Sequence, residues 1–114
     1  MRLRADIWVS AYLRRCAVEG AAAALRRRGA AEAGAIFVAV DRLDGRAALY
    51  APAPQSLMAP LGLERLWVRA HAPPWLDPGE VDKRMRREID FDPDLWLVEV
   101  EDRQGRCWLD LAAD

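Results

Sequence analysis

Ile36-Phe37-Val38-Ala39-Val40, followed by Asp41-Arg42-Leu43-Asp44-Gly45-Arg46 and then Ala47-Ala48-Leu49-Tyr50, is the stretch whose reading decides the fold. An apolar β-branched run, a polar turn ending in Gly and a second apolar run spell a β-hairpin. The pattern recurs at Leu95-Trp96-Leu97-Val98-Glu99-Val100, then Glu101-Asp102-Arg103-Gln104-Gly105-Arg106, then Cys107-Trp108-Leu109-Asp110-Leu111. Two hairpins with polar tips describe an architecture and leave the chemistry open.

Each hairpin carries an expected register. A two-residue Asp44-Gly45 turn pairs Val40 with Leu49 and Val38 with Ala51. In the second hairpin, a four-residue loop over Asp102 to Gly105 sets Glu101 opposite Arg106. That register gathers Trp96, Val98, Val100, Cys107, Leu109 and Leu111 on one face, whereas a three-residue loop would bury glutamates. It also leaves Leu97 and Trp108 side by side on the outer face.

Outward from the hairpins, Asp6 caps a helix over residues 7–19 that Gly20 ends, with Trp8, Ala11, Tyr12 and Cys16 facing inward. Residues 21–28 read as a short strand, although their alanines also favour helix. Ala51-Pro52-Ala53-Pro54 stops the strand before it, and residues 52–63 form a loop. Residues 65–72 alternate as a half-buried strand, with Leu66, Val68, Ala70 and Ala72 on one face and Arg65, Trp67, Arg69 and His71 on the other. A second helix starts at the Asp77 cap with Pro78 in its first position and Glu80 where a capping-box acid belongs. Its Val81, Met85 and Ile89 make the stripe that meets the sheet. The expected fold is a single α+β domain over residues 1–114: an antiparallel sheet of five or six strands, built around two hairpins, with two helices packed on it.

With 114 residues, 53% hydrophobic and 31% charged, the chain suits one folded core rather than disorder. A net charge of -1 provides no global field toward nucleic acid or anionic lipid. All but one of the 17 basic residues are Arg, the exception being Lys83, and the abundance of Arg and Ala reads as a coding bias. Arg2 and Arg4 before Ile7–Leu13 imitate an export signal, but Arg14-Arg15 interrupts it. No apolar run approaches the ~20 residues of a membrane span. Cys16 and Cys107 suit a reduced chain, with a single disulfide between them as the alternative, and a cytoplasmic location is expected.

Phe91-Asp92-Pro93-Asp94-Leu95-Trp96-Leu97-Val98-Glu99-Val100-Glu101-Asp102-Arg103 resembles a family of short bacterial proteins catalogued only as a domain of unknown function. Ile7-Trp8-Val9-Ser10-Ala11, Leu13-Arg14-Arg15-Cys16 and Pro52-Ala53-Pro54-Gln55 resemble it too. The resemblance covers nearly the whole chain. It implies no activity, substrate, cofactor or catalytic residue.

Candidate chemistry is sparse. A nucleophile needs a base within reach, and the single His71 has only Cys16 and Cys107 to serve, both on apolar faces. Asp90, Asp92 and Asp94 alternate like the start of a calcium loop and Glu101 matches its twelfth position, but Leu95 stands where the sixth requires Gly. Glu99 and Glu101 resemble the acidic strand of metal-dependent nucleases, with Arg103 in place of the needed Lys. No zinc spacing or phosphate loop occurs, and no cofactor is expected. Arg65, Arg69, Lys83, Arg84, Arg86 and Arg87 are the nucleic-acid candidates, provided the fold unites them. Five Trp is a high count, and Trp67, Trp75 and Trp108 with Leu97 are the interface candidates. The leading expectation is a non-enzymatic accessory or interaction module that homodimerises or docks on a protein partner. Nucleic-acid binding and a small metal-dependent enzyme follow it.

Overall fold

A computed structural model describes residues 3–54 and 65–112. The order is α1 (Ala5–Val18), β1 (Ala22–Arg27), β2 (Ile36–Asp41), β3 (Ala47–Pro52), β4 (Trp67–Arg69), α2 (Pro78–Phe91) and β5 (Trp96–Glu101). Most of the loop expected over 52–63 lies outside the described residues. The five strands make one sheet in the order β1-β5-β2-β3-β4. This is an α+β fold whose sheet is mixed: β2 and β5 run parallel, Val38 beside Val98, while the other three pairs are antiparallel.

The parallel pair corrects the purely antiparallel expectation, and the run Ile36–Val40 shows why. Ile36, Val38 and Val40 face α1, whereas Phe37 and Ala39 face α2, and all five are buried. A strand covered on both faces loses its alternation and reads as continuously apolar, as strands in parallel pairs do. With β2 central and β3 already on one of its edges, the α2 connection returns the chain to the other edge.

The first hairpin forms with a one-residue change of register. Asp41 pairs with Ala47, Val40 with Ala48 and Val38 with Tyr50. Arg42 N–H donates to the Arg46 carbonyl at 2.9 Å, leaving Leu43 to Gly45 as the loop. Leu43 takes φ 65°, and the Asp41 and Asp44 carboxylates accept from Leu43 N–H (2.8 Å) and Arg46 N–H (3.1 Å). Those two side-chain bonds favour the longer loop over a two-residue turn. The slip places Leu49 on the α2 face and Val40 on the α1 face.

The second hairpin is not present. Both edges of β5 are occupied, by β1 and β2, so no return strand can pair there. The turn itself forms: Asp102 is buried, and its carboxylate accepts from Arg106 N–H at 2.8 Å and from the Arg106 guanidinium at 2.8 and 3.1 Å. The chain then leaves the sheet plane and crosses the α1 face toward β4. Tyr12 Oη donates to the Cys107 carbonyl at 2.6 Å. Trp108 takes φ 50°, which no strand tolerates. Trp67 N–H donates to the Asp110 carbonyl and Ala112 N–H to the Trp67 carbonyl, at 2.9 and 2.8 Å. Cys107 and Leu109 thus join Trp96, Val98 and Val100 in one cluster, as their apolarity demanded, but by packing instead of pairing.

The helices sit on opposite faces of the sheet. α1 buries Ala5, Val9, Tyr12 and Cys16; Trp8 is half-buried and Ala11 exposed, so the inward face is turned slightly from the expected one. Asp6 is inside the helix because Ala5 and Asp6 N–H donate to the carbonyls of Glu32 and Ala31, each at 3.0 Å, which occupies the end a cap would serve. Gly20, at φ 87°, closes the helix in a Schellman motif, with Gly20 N–H on the Ala17 carbonyl and Ala21 N–H on the Cys16 carbonyl. α2 starts as expected, with Asp77 accepting from Gly79 N–H at 3.0 Å and Pro78 first, and Val81 and Met85 are buried with Ile89 beside them; the capping box does not close, since Glu80 turns to Arg84 at 3.5 Å.

Candidate interaction surface

His71 is structural. Leu49 N–H donates to its Nε2 at 3.1 Å, and its Nδ1 lies 2.7 Å from the Pro73 carbonyl. That pair of partners requires the tautomer with a proton on Nδ1, leaving no ring nitrogen for a nucleophile. Burial, opposed by the Pro73 bond and assisted by the nearby Arg69 and Arg84 charges, lowers its pKa. Cys16 and Cys107 are both free thiols; Cys16 is fully buried, and that burial raises its pKa. Tyr50, buried beside Cys107, is pushed up to about 12.

The acids do not converge. Asp92 caps the end of α2, its N–H donating to the Glu88 carbonyl and its carboxylate accepting from Asp94 N–H at 3.1 Å. Glu99 pairs with Arg26 at 2.6 Å. Among the described residues, no group of three or more His, Cys, Asp or Glu is placed to hold a metal. Asp90 and Glu101 are exposed at the ends of α2 and β5.

The basic candidates divide between the two faces of the sheet. Arg69 pairs with Tyr50 in the ladder, on the α1 side, and donates to the Pro74 carbonyl at 3.2 Å. Arg65 donates to the Leu3 carbonyl at 3.0 Å. Lys83, Arg84, Arg86 and Arg87 belong to α2 on the other side. Arg84 is turned inward, donating to the Ala70 carbonyl at 2.9 Å and lying 3.5 Å from Glu80. The single stripe that nucleic-acid binding presupposed is therefore not assembled.

The apolar candidates are equally dispersed. Trp67 is only 2% exposed, with its indole N–H on the Ile36 carbonyl at 2.9 Å, so it belongs to the core and not to a surface. The expectation reversed the two faces of residues 65–72, because the indole needed that buried carbonyl. Trp75 and Trp108 are half-buried beneath the Arg42 and Arg106 guanidiniums, each 4.8 Å from the ring centroid. Leu97 packs with the α2 cluster, opposite Trp108. They are not neighbours, because the hairpin that would have joined them does not form.

What the residues alone did not reveal is an asymmetry between the sheet edges. The β4 edge is occupied by residues 110–112 through the Trp67 bonds described above. The outer edge of β1 has no partner strand among the described residues. Beside it, between α1 and β1, lies a cleft of about 410 Å³ lined by Ser10, Leu13, Arg14, Leu25, Arg28 and Trp96, among others. Ser10 and Arg14 are exposed, Leu13 and Leu25 half-buried, and the Arg28 guanidinium lies 5.2 Å from the Trp96 ring centroid. Arg26 and Arg27 are tied back, to Glu99 and to the Pro93 carbonyl (2.7 Å). Neither Arg14 nor Arg28 has a carboxylate partner among the described residues. The four-alanine run and its arginines were visible, but only the strand order makes them an edge.

No helix among the described residues is long and apolar enough to cross a membrane. No curated protein matches the chain. Solved structures do. A DUF1491 family protein from Caulobacter crescentus CB15, solved by crystallography, is 35% identical with a TM-score of 0.79, over 99% of this chain and 100% of that one. An NMR structure of a DUF1491 family protein from the same organism is 38% identical with a TM-score of 0.80, over 100% and 98%. The solution structure of protein Atu0922 from A. tumefaciens is 38% identical with a TM-score of 0.83, again over 100% and 98%. The family model described as protein of unknown function (DUF1491) matches residues 3–110, and the chain belongs to that family.

Proposed function

We propose that this domain is a non-enzymatic, cytoplasmic interaction module that receives a protein partner at the β1 edge of its sheet. The observation that carries the reading is the contrast between a β4 edge covered by the C-terminal segment and a β1 edge left without a partner. Unpaired strand edges are where another chain adds most readily, and proteins that do not use them commonly cover them. The commitment of His71 to two backbone groups and the free thiols of Cys16 and Cys107 agree with a module that lacks a reactive centre in a reducing compartment.

The test is affinity capture from the protein's own host, with the captured protein then purified and rebound, alongside light scattering to give the oligomeric state. Ser10→Trp, which places a ring at an exposed position of the cleft, is the matched variant. Wild type should capture a protein that rebinds stoichiometrically, and Ser10→Trp should not. A strict monomer that captures nothing above the control refutes the reading.

A further inference from the structure

Resting on that reading, we infer that the cleft between α1 and β1 takes an extended peptide segment of a partner that carries aliphatic and acidic side chains on one face, at every second residue, added to the sheet as a strand beside β1. Three observations converge on this occupant. β1 presents Ala22 to Leu25 in regular register with β5 before the ladder is interrupted between Leu25 and Arg27, so a regular extended partner has a short, defined template that runs into the cleft at Leu25. Strand addition aligns main-chain bonds along that template, and the period of two sends alternate side chains to the α1 side.

On that side the floor is apolar: Leu13 and Leu25 are half-buried, with Trp96 beneath. A cleft of about 410 Å³ lies within the range of ligand sites, roughly 300–1,000 Å³. Aliphatic side chains fit that floor.

The rim is cationic. Arg14 and Arg28 border the cleft without carboxylate partners, whereas the one lining acid, Asp6, already accepts from Arg4 at 3.2 Å and from Ile7 N–H at 2.8 Å. A partner bringing acids meets two guanidiniums without carboxylate partners, one of them stacked on Trp96, and bidentate pairing suits them. A second copy of this chain is the poorer occupant, because apposing two β1 edges brings Arg-bearing rims together. A nucleic-acid strand would satisfy the charges but not the open backbone edge.

The experiment selects random ten-residue peptides displayed on phage against the intact protein. Binders are then mapped by amide chemical shifts and hydrogen exchange. Selected sequences should carry both aliphatic and acidic residues at every second position, and the amides of β1 should gain protection. Affinity should fall about tenfold or more in Arg14→Glu/Arg28→Glu, with thermal stability retained as the check on folding. It should also weaken with salt. Binders that lack acids, or that protect the Trp108 side instead, refute this site while leaving an interaction module standing. Failure to select any peptide refutes it as well, and refutes the broader reading only if host capture also fails. Single-stranded RNA that protects the same amides more strongly than the selected peptides overturns the assignment of a peptide occupant.

Discussion

Replacing His71 by Ala isolates a bond that the fold makes only once. Leu49 is 1% exposed, and its N–H has the imidazole Nε2 as acceptor at 3.1 Å. Truncation leaves a buried N–H without its partner, at about 1–3 kcal/mol, and removes the 2.7 Å bond to the Pro73 carbonyl, worth about 1 kcal/mol more. The combined loss is about 2–4 kcal/mol. At roughly 4 °C per kcal/mol for a domain of this size, the melting temperature falls by about 8–16 °C. The pH dependence fixes the cause. Burial holds the folded pKa below the unfolded value of 6.5, so the unfolded chain binds the proton more readily and stability increases with pH across that interval. The contribution is complete above 6.5 and is lost as pH falls toward the folded pKa. Protonated Nε2 would also present a donor to the Leu49 donor. Urea midpoints of wild type and His71→Ala at pH 7.5 and pH 5 should therefore differ most at the higher pH. Two stability curves that run parallel between those pH values, or a variant within 0.5 kcal/mol of wild type at pH 7.5, would refute the reasoning.

Further outcomes follow from the packing. Trp67→Ala should lower stability by about 3–5 kcal/mol in urea titration, and a folded, equally stable variant would return Trp67 to the surface. Gly29→Ala should lose about 3 kcal/mol, because a Cβ there meets the Asp94 carbonyl oxygen and comes within 2.6 Å of the Leu95 carbonyl carbon; unchanged thermal unfolding would contradict that approach. Asp102→Asn should cost about 1.5–3 kcal/mol at pH 7. Arg106 beside Asp102 holds the carboxyl below the ordinary 3.8, so its stabilisation is present above that value and lost as pH falls through the folded pKa. The gap between the wild-type and Asp102→Asn curves should accordingly narrow as pH falls below 3.8, and a gap that stays constant would count against the carboxylate.

Local signals were legible where the controlling interactions are local. Asp77-Pro78 announced α2, Gly20 ended α1, and the short span from Gly20 to Gly29 before the first hairpin marked 21–28 as a strand, found over 22–27, because caps, turns and short spacings act within a few residues. Apart from the first hairpin's register, set by the Asp41 and Asp44 carboxylates within its own loop, the failures share a distant cause. Whether 106–111 returns as a strand depends on whether β5 has a vacant edge, which is decided by β1 and β2 far away in the chain. The parallel pair had left a trace in the unbroken apolarity of Ile36–Val40, which is the mark of a strand buried on both faces. The face of Trp67 was set by a carbonyl at Ile36, beyond the reach of alternation. For the site, Arg14 and Arg28 were in view as residues, but not as the two walls of one cleft.

The final strand lies between the first and second, and that insertion governs the order of assembly. Among the described residues, β1 joins the remainder of the sheet only through β5. A nascent chain that has emerged only as far as Asp94 holds the strands β2, β3 and β4, yet offers its first strand α1 to pack on but no strand to pair with. Loop-closure cost falls on this last event, since β1 and β5 are separated by most of the polypeptide. Trp96 to Glu101 is the keystone of the arch: until it leaves the ribosome, β1 has no strand to pair with.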